Sequence, residues 1–313
     1  MLWQYSDFTF PFLIILGIVV GVLLIIKKVK ILKLDKKSFD RLLMIFAFSG
    51  AAFYIGARLF DDLFHYLNGE VGHKGGITFM GGMISAVVVF VILFFIFLKP
   101  IRRKFFLILN IIVMGITIGH SIGRVGCFLS GCCYGKVTTS VIGVTFPGKA
   151  SVVQIQNLPF YQIKMEGSDA YYDLFVSKLN EDGHSLKDIY KTKEAAEFEL
   201  NRAKEYAENT KLIPTQIIES LFLLALFFLM LAINKLQTHI YLIGYGVYRF
   251  FAEFLRFDNR GAIGLGISPS QLISIIIVFV GIISLITFLI LKKKNLIDYD
   301  VKLLVEEKEV IKQ

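Results

Sequence analysis

Three long runs of this chain contain no charged residue: 8–26, 77–98 and 262–291. A helix needs about 20 residues to cross a hydrocarbon core about 30 Å thick, so each run is long enough to span a membrane. Four weaker runs are interrupted or ended by polar groups: 42–57, 105–123, 215–234 and 240–257. The pattern predicts an all-α integral membrane protein with about seven transmembrane helices, and a hydrophobic content of 55% agrees with it.

The formal net charge of +9 follows membrane topology and does not indicate a nucleic-acid partner. Basic residues gather at 27–41, 99–104 and 292–294, and with this number of spans all three clusters fall on one side. The facing short loops are acidic or mixed, as at Asp61, Asp62 and Glu70. By the positive-inside rule the basic side is cytoplasmic, which places the N-terminus outside and the C-terminus inside.

The count of spans divides the chain into four segments. Residues 1–136 hold helices 1–4, 137–213 form an extracytoplasmic α+β insertion, 214–294 hold helices 5–7, and 295–313 form a cytoplasmic tail. Within the insertion we expect a strand over 141–146 and amphipathic helices over 170–179 and 193–208. The insertion is small and polar, which favours a lid or substrate-guiding head.

Charged residues interrupt the apolar run 240–257. Charge at membrane depth costs roughly 2.5–3.5 kcal/mol per residue, so these residues are expected to be paired or functional. Tyr245, Arg249 and Glu253 are spaced four apart, and Arg256 follows one turn beyond. This spacing predicts that all four side chains share one helical face.

A second cation, Arg124, lies in the glycine-rich segment GRVGCFLSGCCYG at 123–135. The glycines predict a tight re-entrant turn at the membrane surface, with Arg124 directed into the helix bundle. His120 lies one turn earlier and is either a satisfied core residue or, when neutral, a base. Two arginines that converge in a membrane indicate a bound anion, and a lipid phosphate is the obvious candidate.

The three cysteines of the chain, Cys127, Cys132 and Cys133, fall at the outer end of the fourth predicted span. An odd number with two adjacent residues does not form a regular disulfide framework, and the spacing fits no standard zinc pattern. The thiols are either small packing residues at a crowded turn or participants in the chemistry. We therefore predict no cofactor and no metal ion.

Two further motifs carry candidate residues. Four glycines stand at the start of the third span, Gly75, Gly76, Gly81 and Gly82, although glycine costs about 1 kcal/mol relative to alanine in a helix interior. They allow either close approach of backbone N–H groups to a phosphate or close packing of helices. The segment PTQIIE at 214–219 places Gln216 and Glu219 on one helical face, and a buried Glu219 is expected to partner an arginine.

Together these motifs resemble the prolipoprotein diacylglyceryl transferase family, bacterial inner-membrane enzymes that begin lipoprotein maturation. The matching pieces stand in the family's order: IGAR at 55–58, GGITFMGG at 75–82, the motif at 123–135, PTQIIE at 214–219, and YGVYR at 245–249 with Glu253 and Arg256. The resemblance covers every predicted span and leaves out the insertion and the tail.

The resemblance implies transfer of the diacylglyceryl group of phosphatidylglycerol to the lipobox cysteine near a prolipoprotein's signal peptide, with release of glycerol phosphate. It implies a site on the outer-leaflet side of the bacterial cytoplasmic membrane. Arg124 and Arg249 would hold the phosphate and stabilise the leaving group, and Tyr245 and Glu253 would align or neutralise them. The lipid-binding set implied in addition comprises Arg58, Gly75, Gly76, Gly81, Gly82, Cys127, Gln216, Glu219 and Arg256.

Three positions depart from better-known members of the family. Met80 stands where they carry a histidine, Cys127 where they carry an asparagine, and Cys132 where they carry an acidic residue. Because Met80 cannot act as a base, the candidates for that role are His73, His120, Tyr245 and Glu219. Two alternatives stay open: a paralogue that uses the same lipid with another acceptor, and a non-enzymatic protein that binds or transports anionic lipids.

Overall fold

The computed structural model describes residues 9–67, 79–146, 148–154, 161–167, 169–183, 193–233, 235–257 and 267–299. In chain order its elements are α1 (Thr9–Ile31), α2 (Lys36–Leu67), α3 (Phe79–Phe97), a 3₁₀ helix (Lys99–Lys104), α4 (Phe105–Ser130), β1 (Gly148–Gln154), β2 (Tyr161–Gly167), α5 (Asp169–Glu181), α6 (Lys193–Asn209), α7 (Thr215–Ile233), α8 (Gln237–Ala252), a short 3₁₀ helix (Glu253–Leu255) and α9 (Pro269–Lys293).

Five helices of the described chain are long and apolar enough to cross a membrane. They are α1, α2, α7, α9 and the continuous helical stretch Lys99–Ser130, of which α4 is the larger part. The apolar part of α3, Gly81–Phe97, is shorter. Every predicted span overlaps one of the helices α1–α4 and α7–α9. The chain is therefore a multi-pass membrane protein whose spanning part is helical.

Local chemistry fixes where two of these helices begin. The carboxylate of Asp35 accepts a 3.0 Å hydrogen bond from the backbone N–H of Ser38, which caps the first turn of α2. Pro214 immediately precedes α7, a position where its missing N–H costs nothing. The outward faces are apolar, as at Phe12 (62% exposed) and Phe279 (61% exposed), which suits a hydrocarbon solvent.

The chain forms two compact units. The first comprises Met1–Ile26 with Asn110–Thr287, and the second comprises Lys27–Leu109 with Phe288–Gln313. In the first unit, α1 and α4 approach through facing glycines. A Cβ on Gly17 would lie 2.5 Å from the backbone oxygen of Gly119, and one on Gly21 would lie 2.6 Å from that of Gly115. Glycine at these positions lets the two backbones touch.

In the second unit, α2 packs against α3 in the same way. A Cβ added to Gly81 would lie 2.9 Å from the backbone oxygen of Gly56, and one on Gly82 would lie 2.7 Å from that of Phe53. Close helix packing, one of the two roles predicted for the glycine motif, therefore applies to Gly81 and Gly82. The lipid-binding role stays a prediction.

The segment between α4 and α7 belongs to the first unit. Strand β1 pairs antiparallel with β2, from Gly148 opposite Gly167 to Gln154 opposite Tyr161. The two predicted amphipathic helices are present as α5 and α6.

The strand predicted over 141–146 is wrong. The backbone N–H of Gly143 donates a 3.0 Å hydrogen bond to the carbonyl of Ser140 and closes a turn, which leaves Val141 94% exposed. Within this stretch Val144 forms one isolated bridge, to Leu212. The alternating apolar residues of 141–146 therefore lie on a turn and do not form a β-strand.

Candidate active site

Three helices of the first unit converge on the carboxylate of Glu219, whose side chain is 7% exposed. Nη2 of Arg124 lies 2.9 Å from Oε2 of Glu219. The hydroxyl of Tyr245 donates a 3.0 Å hydrogen bond to Oε1, and Nε2 of His120 lies 3.6 Å from the same oxygen. Glu219 is thus the buried partner of an arginine, as its position in an apolar span predicts.

The helix that carries Arg124 is fixed against the helix that carries Glu219 by a reciprocal pair of serines. The hydroxyl of Ser121 on α4 donates to the carbonyl of Ser220 on α7 at 2.9 Å, and the Ser220 hydroxyl donates back to the Ser121 carbonyl at 2.9 Å. Because each serine neighbours a residue of the cluster in sequence, these bonds set the distance across which Arg124 reaches Glu219.

A second guanidinium–carboxylate pair lies at the end of α8. Nη2 of Arg249 lies 2.8 Å from Oε2 of Glu253, four residues later in the chain. Arg249 also donates a 3.2 Å hydrogen bond to Ser270, and the Ser268 hydroxyl donates to Oε1 of Glu253 at 2.9 Å. The shared face predicted for Arg249 and Glu253 is confirmed, and the start of α9 holds both partners in place.

The two pairs form one electrostatic environment. The positive charges of both Arg124 and Arg249 act on the side chains of His120 and Tyr248. Tyr248 stacks on Phe222, with ring centroids 4.1 Å apart and planes 13° from parallel. Apolar ring surface beside these charges lowers the local dielectric, which strengthens the charge interactions.

Arg124 has donors that no hydrogen bond of normal geometry satisfies. Both Nε and Nη2 are buried without such a partner among the residues that the structure describes, although Nη2 lies 2.9 Å from Oε2 of Glu219. A buried guanidinium N–H without an acceptor is costly, whereas a bound anion satisfies it. Glu219 therefore neutralises Arg124 and fixes its position, while Arg124 keeps donors for a further hydrogen-bond acceptor.

A family model described as prolipoprotein diacylglyceryl transferase matches residues 8–287. This chain belongs to that family. Phosphatidylglycerol–prolipoprotein diacylglyceryl transferase 2 of Clostridium perfringens is 32% identical over 180 residues, 56% of this chain and 49% of that protein. The transferase of Clostridium tetani is 31% identical over 180 residues, 56% of this chain and 50% of that protein.

A longer match is to the phosphatidylglycerol–prolipoprotein diacylglyceryl transferase of Finegoldia magna, 26% identical over 304 residues, 93% of each chain. The chain spans about half the length of the two clostridial relatives. The resemblance inferred from the five ordered motifs is confirmed at the level of the family.

The segment 123–135 is predicted to form a tight re-entrant turn, but it stays helical as far as Ser130, and only its last residues turn. α4 ends at Ser130, and both Gly131 (φ +68°) and Cys133 (φ +61°) take left-handed backbone conformations. From α7, Thr215 donates a 2.7 Å hydrogen bond to the Cys133 carbonyl, and Gln216 donates a 2.6 Å hydrogen bond to the Cys132 carbonyl. Gln216, a predicted lipid-binding residue, thus positions this turn.

The turn gathers the three cysteines of the motif. Their Sγ atoms all lie within 4.8 Å of one another, and the side chains are half-buried. The pKa of the Cys133 thiol lies well below its ordinary value, and the largest cause is its side-chain hydrogen bonding with Cys127 and Cys132. The positive charges of Arg124 and Arg256 add to this lowering. The sequence predicts that the three cysteines lie at one end of a span, but their spacing does not predict that the three sulfurs meet.

The predicted place of Arg256 on the same helical face as Arg249 is wrong. Helix α8 ends at Ala252, and after the short 3₁₀ turn Arg256 is extended, with φ −80° and ψ 148°. Its backbone forms a bridge with Gly135, where a Cβ would lie 2.6 Å from the carbonyl oxygen of Leu255. The buried Arg256 side chain therefore belongs to the cysteine turn and not to the α8 face.

Three of the remaining predicted lipid-binding residues do not belong to the first unit. Arg58 is exposed on α2, and Gly81 and Gly82 are buried in α3, all within the second unit. Gly75 and Gly76 lie outside the described residues, as does the candidate base His73.

Proposed function

We propose that this protein transfers the diacylglyceryl group of phosphatidylglycerol to the lipobox cysteine thiol of prolipoproteins and releases glycerol phosphate. The observation that carries the proposal is the pair of guanidinium groups of Arg124, which is buried, and Arg249, whose side chain is 15% exposed. The charges of both act on the side chains of His120 and Tyr248. The names of the relatives, which specify this donor and this acceptor, support it.

The carboxylates make the two arginines ready for an anion. Without a counter-charge a buried guanidinium is unstable, and Glu219 and Glu253 supply that charge at 2.9 Å and 2.8 Å. A guanidinium has five N–H donors, so a carboxylate contact leaves others for the oxygens of a phosphate. The unpartnered Nε of Arg124 is such a donor. Planar, bidentate geometry suits arginine better than lysine for this contact.

The reaction explains why two cations are required. The acceptor thiolate attacks the glycerol carbon that bears the phosphate ester, a C–S bond forms, and the C–O bond breaks with its electron pair leaving on the phosphate oxygen. The phosphodiester carries one negative charge and the departing glycerol phosphate gains a second. Arg124 and Arg249, whose side chains are 11% and 15% exposed, stabilise this developing charge.

The thiol must lose its proton before attack, since the thiolate is the nucleophile. Oε2 of Glu219 contacts Arg124 and Oε1 accepts the Tyr245 hydroxyl, so both oxygens are engaged. We assign the base to His120, whose Nε2 lies beside the same carboxylate. Tyr245 and Glu219 then orient Arg124 and His120 and do not themselves react.

We further place this site on the outer-leaflet side of the bacterial cytoplasmic membrane, with the N-terminus outside and the C-terminus in the cytoplasm. The basic clusters at 27–41, 99–104 and 292–294 support this orientation. The proposal includes seven membrane-crossing helices at 1–136 and 214–294, an outer insertion at 137–213 and an inner tail at 295–313. The insertion then guides the signal peptide to the lipid.

The test supplies the purified protein in detergent with labelled phosphatidylglycerol and a synthetic lipobox peptide. Labelled thioether on the peptide is expected for the natural chain. Arg124→Ala and Arg249→Ala should abolish transfer, and Arg249→Lys should retain little. The matched control is Arg103→Ala, which removes an arginine paired with a carboxylate, Asp298, at 3.2 Å but 60% exposed. It should keep the natural rate.

Two results would overturn the proposal. Release of glycerol phosphate with an unmodified peptide would show a different acceptor, as in a paralogue of altered specificity. No consumption of the lipid by well-folded protein would indicate a non-enzymatic lipid-binding protein. Natural rates in Arg124→Ala or Arg249→Ala would remove the assigned site even if transfer occurs.

A further inference from the structure

The reaction proposed above uses none of the three thiols at the end of α4. Cys127 lies in the last turn of the helix, Cys132 and Cys133 follow it, and their sulfurs lie within 4.8 Å of one another. The Cys132 sulfur also lies 3.3 Å from the hydroxyl of Ser130. Three sulfurs this close together can contact one ligand at the same time, and side-chain packing alone does not require such an arrangement.

The backbone is built to hold this unit. Cys133 takes a left-handed conformation, φ +61°, that costs a non-glycine residue roughly 1–2 kcal/mol. Glycine would adopt this conformation without that cost. Two side chains of α7, Thr215 and Gln216, fix the carbonyls of Cys133 and Cys132 at 2.7 Å and 2.6 Å. The turn therefore presents its cysteines from a fixed frame and does not depend on flexible loop residues.

Charge around the cluster favours an ion bound by thiolates over thiolates without an ion. Three thiolates and one divalent ion carry a single net negative charge. The positive charge of Arg124 acts on Cys127 and Cys133, and that of Arg256 acts on Cys133. The two arginines would thus balance the net negative charge of an ion with its three thiolates. Without an ion, the three thiolates would repel one another.

We propose that Cys127, Cys132 and Cys133 form a three-thiolate site for a soft, closed-shell metal ion of the Zn²⁺ or Cu⁺ class. Thiolate ligands select these ions over hard cations such as Mg²⁺. Zinc–sulfur bonds of about 2.3 Å place the sulfurs of one ion about 3.8 Å apart, so the cluster must contract by at most about 1 Å. Binding exchanges up to three thiol protons for one ion and involves no oxidation.

The test uses full-length protein in detergent, without an affinity tag, reduced and handled without oxygen. After incubation with Zn²⁺, or with Cu⁺ buffered by a competing chelator, and removal of free ion, elemental analysis should find one ion per chain. Because the chain has only three cysteines, alkylation followed by mass measurement counts every thiol. The bound ion should protect all three thiols, and treatment with a chelator should expose them again.

Variants separate ligands from scaffold. Cys127→Ser, Cys132→Ser and Cys133→Ser should each weaken binding by more than about tenfold, since even loss of groups that only orient ligands costs 10–100-fold. Ser130→Ala is the matched control, because it removes a neighbour of the Cys132 sulfur but no thiolate. It should still bind one ion per chain.

Folding is monitored independently of binding. Zn²⁺ should raise the melting temperature of the natural chain and leave that of Cys132→Ser unchanged. The proposal is overturned if the natural chain retains no more metal than the variant with all three cysteines replaced. It is equally overturned if the reduced protein, given metal, instead forms a disulfide and holds no ion. Neither result bears on lipid transfer, so the two proposals fail separately.

Discussion

The hydroxyl of Tyr245 donates a 3.0 Å hydrogen bond to Oε1 of Glu219. The second oxygen of that carboxylate lies 2.9 Å from Nη2 of Arg124. One carboxylate on α7 therefore joins a phenol on α8 to a guanidinium on α4. The direction in which Arg124 presents its remaining donors depends on groups that do not touch the phosphate themselves.

Tyr245→Phe isolates the contribution of this hydrogen bond. Without it Glu219 can rotate and Arg124 loses its fixed orientation, so we expect the transfer rate to fall about tenfold, which corresponds to about 1.4 kcal/mol of transition-state stabilisation. The measurement is kcat and KM for phosphatidylglycerol in the peptide assay. Tyr54→Phe is the control, because Tyr54 is 56% exposed on α2. Unchanged kinetics in Tyr245→Phe would contradict the positioning role.

Glu219→Gln should destabilise the fold as well as the site. It leaves Arg124, 11% exposed, without a counter-charge, and removing one partner of a buried ion pair costs about 3–5 kcal/mol. We expect a lower melting temperature in detergent, partly restored when Arg124→Met is added. Glu181→Gln, whose partner Lys178 is 31% exposed, should change stability by less than about 1 kcal/mol. Equal melting temperatures for Glu219→Gln and Glu181→Gln would show that the Arg124 pair is not buried in solution.

Local periodicity is sufficient to predict some of these features. The membrane helices follow from the length of apolar runs, and the Arg249–Glu253 pair follows from a spacing of four on one helix. Arg256 follows the same spacing rule but lies past the end of α8, where the backbone turns to meet Gly135. Sequence periodicity does not show where a helix ends when no glycine or proline marks the position.

The cysteine turn depends on contacts between distant parts of the chain. Its carbonyls are fixed by Thr215 and Gln216, 82 and 84 residues later. The partner of Arg124 was predictable as a buried acid in an apolar span, whereas the bond from Tyr245 to that acid depends on how α7 and α8 pack. Such contacts are set by tertiary structure and leave no local pattern.

Asn110→Ala tests the start of α8. The Asn110 side-chain oxygen accepts hydrogen bonds from the backbone N–H of Thr238 at 2.9 Å and from its hydroxyl at 2.7 Å, while its amide donates to the Lys235 carbonyl at 3.2 Å. Loss of this buried cap should cost about 1–3 kcal/mol. The measurement is the melting temperature in detergent. Asn209→Ala, which removes an exposed bond to Glu205, should leave it nearly unchanged.

Replacing glycine by alanine should lower the melting temperature at the contact between α1 and α4, and should not lower it at an exposed glycine elsewhere. In Gly17→Ala the new methyl group would meet the backbone oxygen of Gly119 at 2.5 Å, and a helix backbone cannot yield as a flexible side chain does. Overpacking costs about 1–3 kcal/mol, which outweighs a gain of about 1 kcal/mol in helix propensity. We expect a lower melting temperature and, because α4 carries Arg124 and His120, slower transfer.

Gly50→Ala is the matched control on α2. A Cβ at Gly50 meets nothing within 4 Å, so only the gain in helix propensity remains, up to about 1 kcal/mol. Thermal unfolding in detergent, followed by circular dichroism, should therefore place Gly50→Ala at or above the natural chain and Gly17→Ala below it. If both variants shift in the same direction, the close approach of α1 to α4 does not determine stability. If both variants melt above the natural chain, helix propensity alone accounts for both glycines.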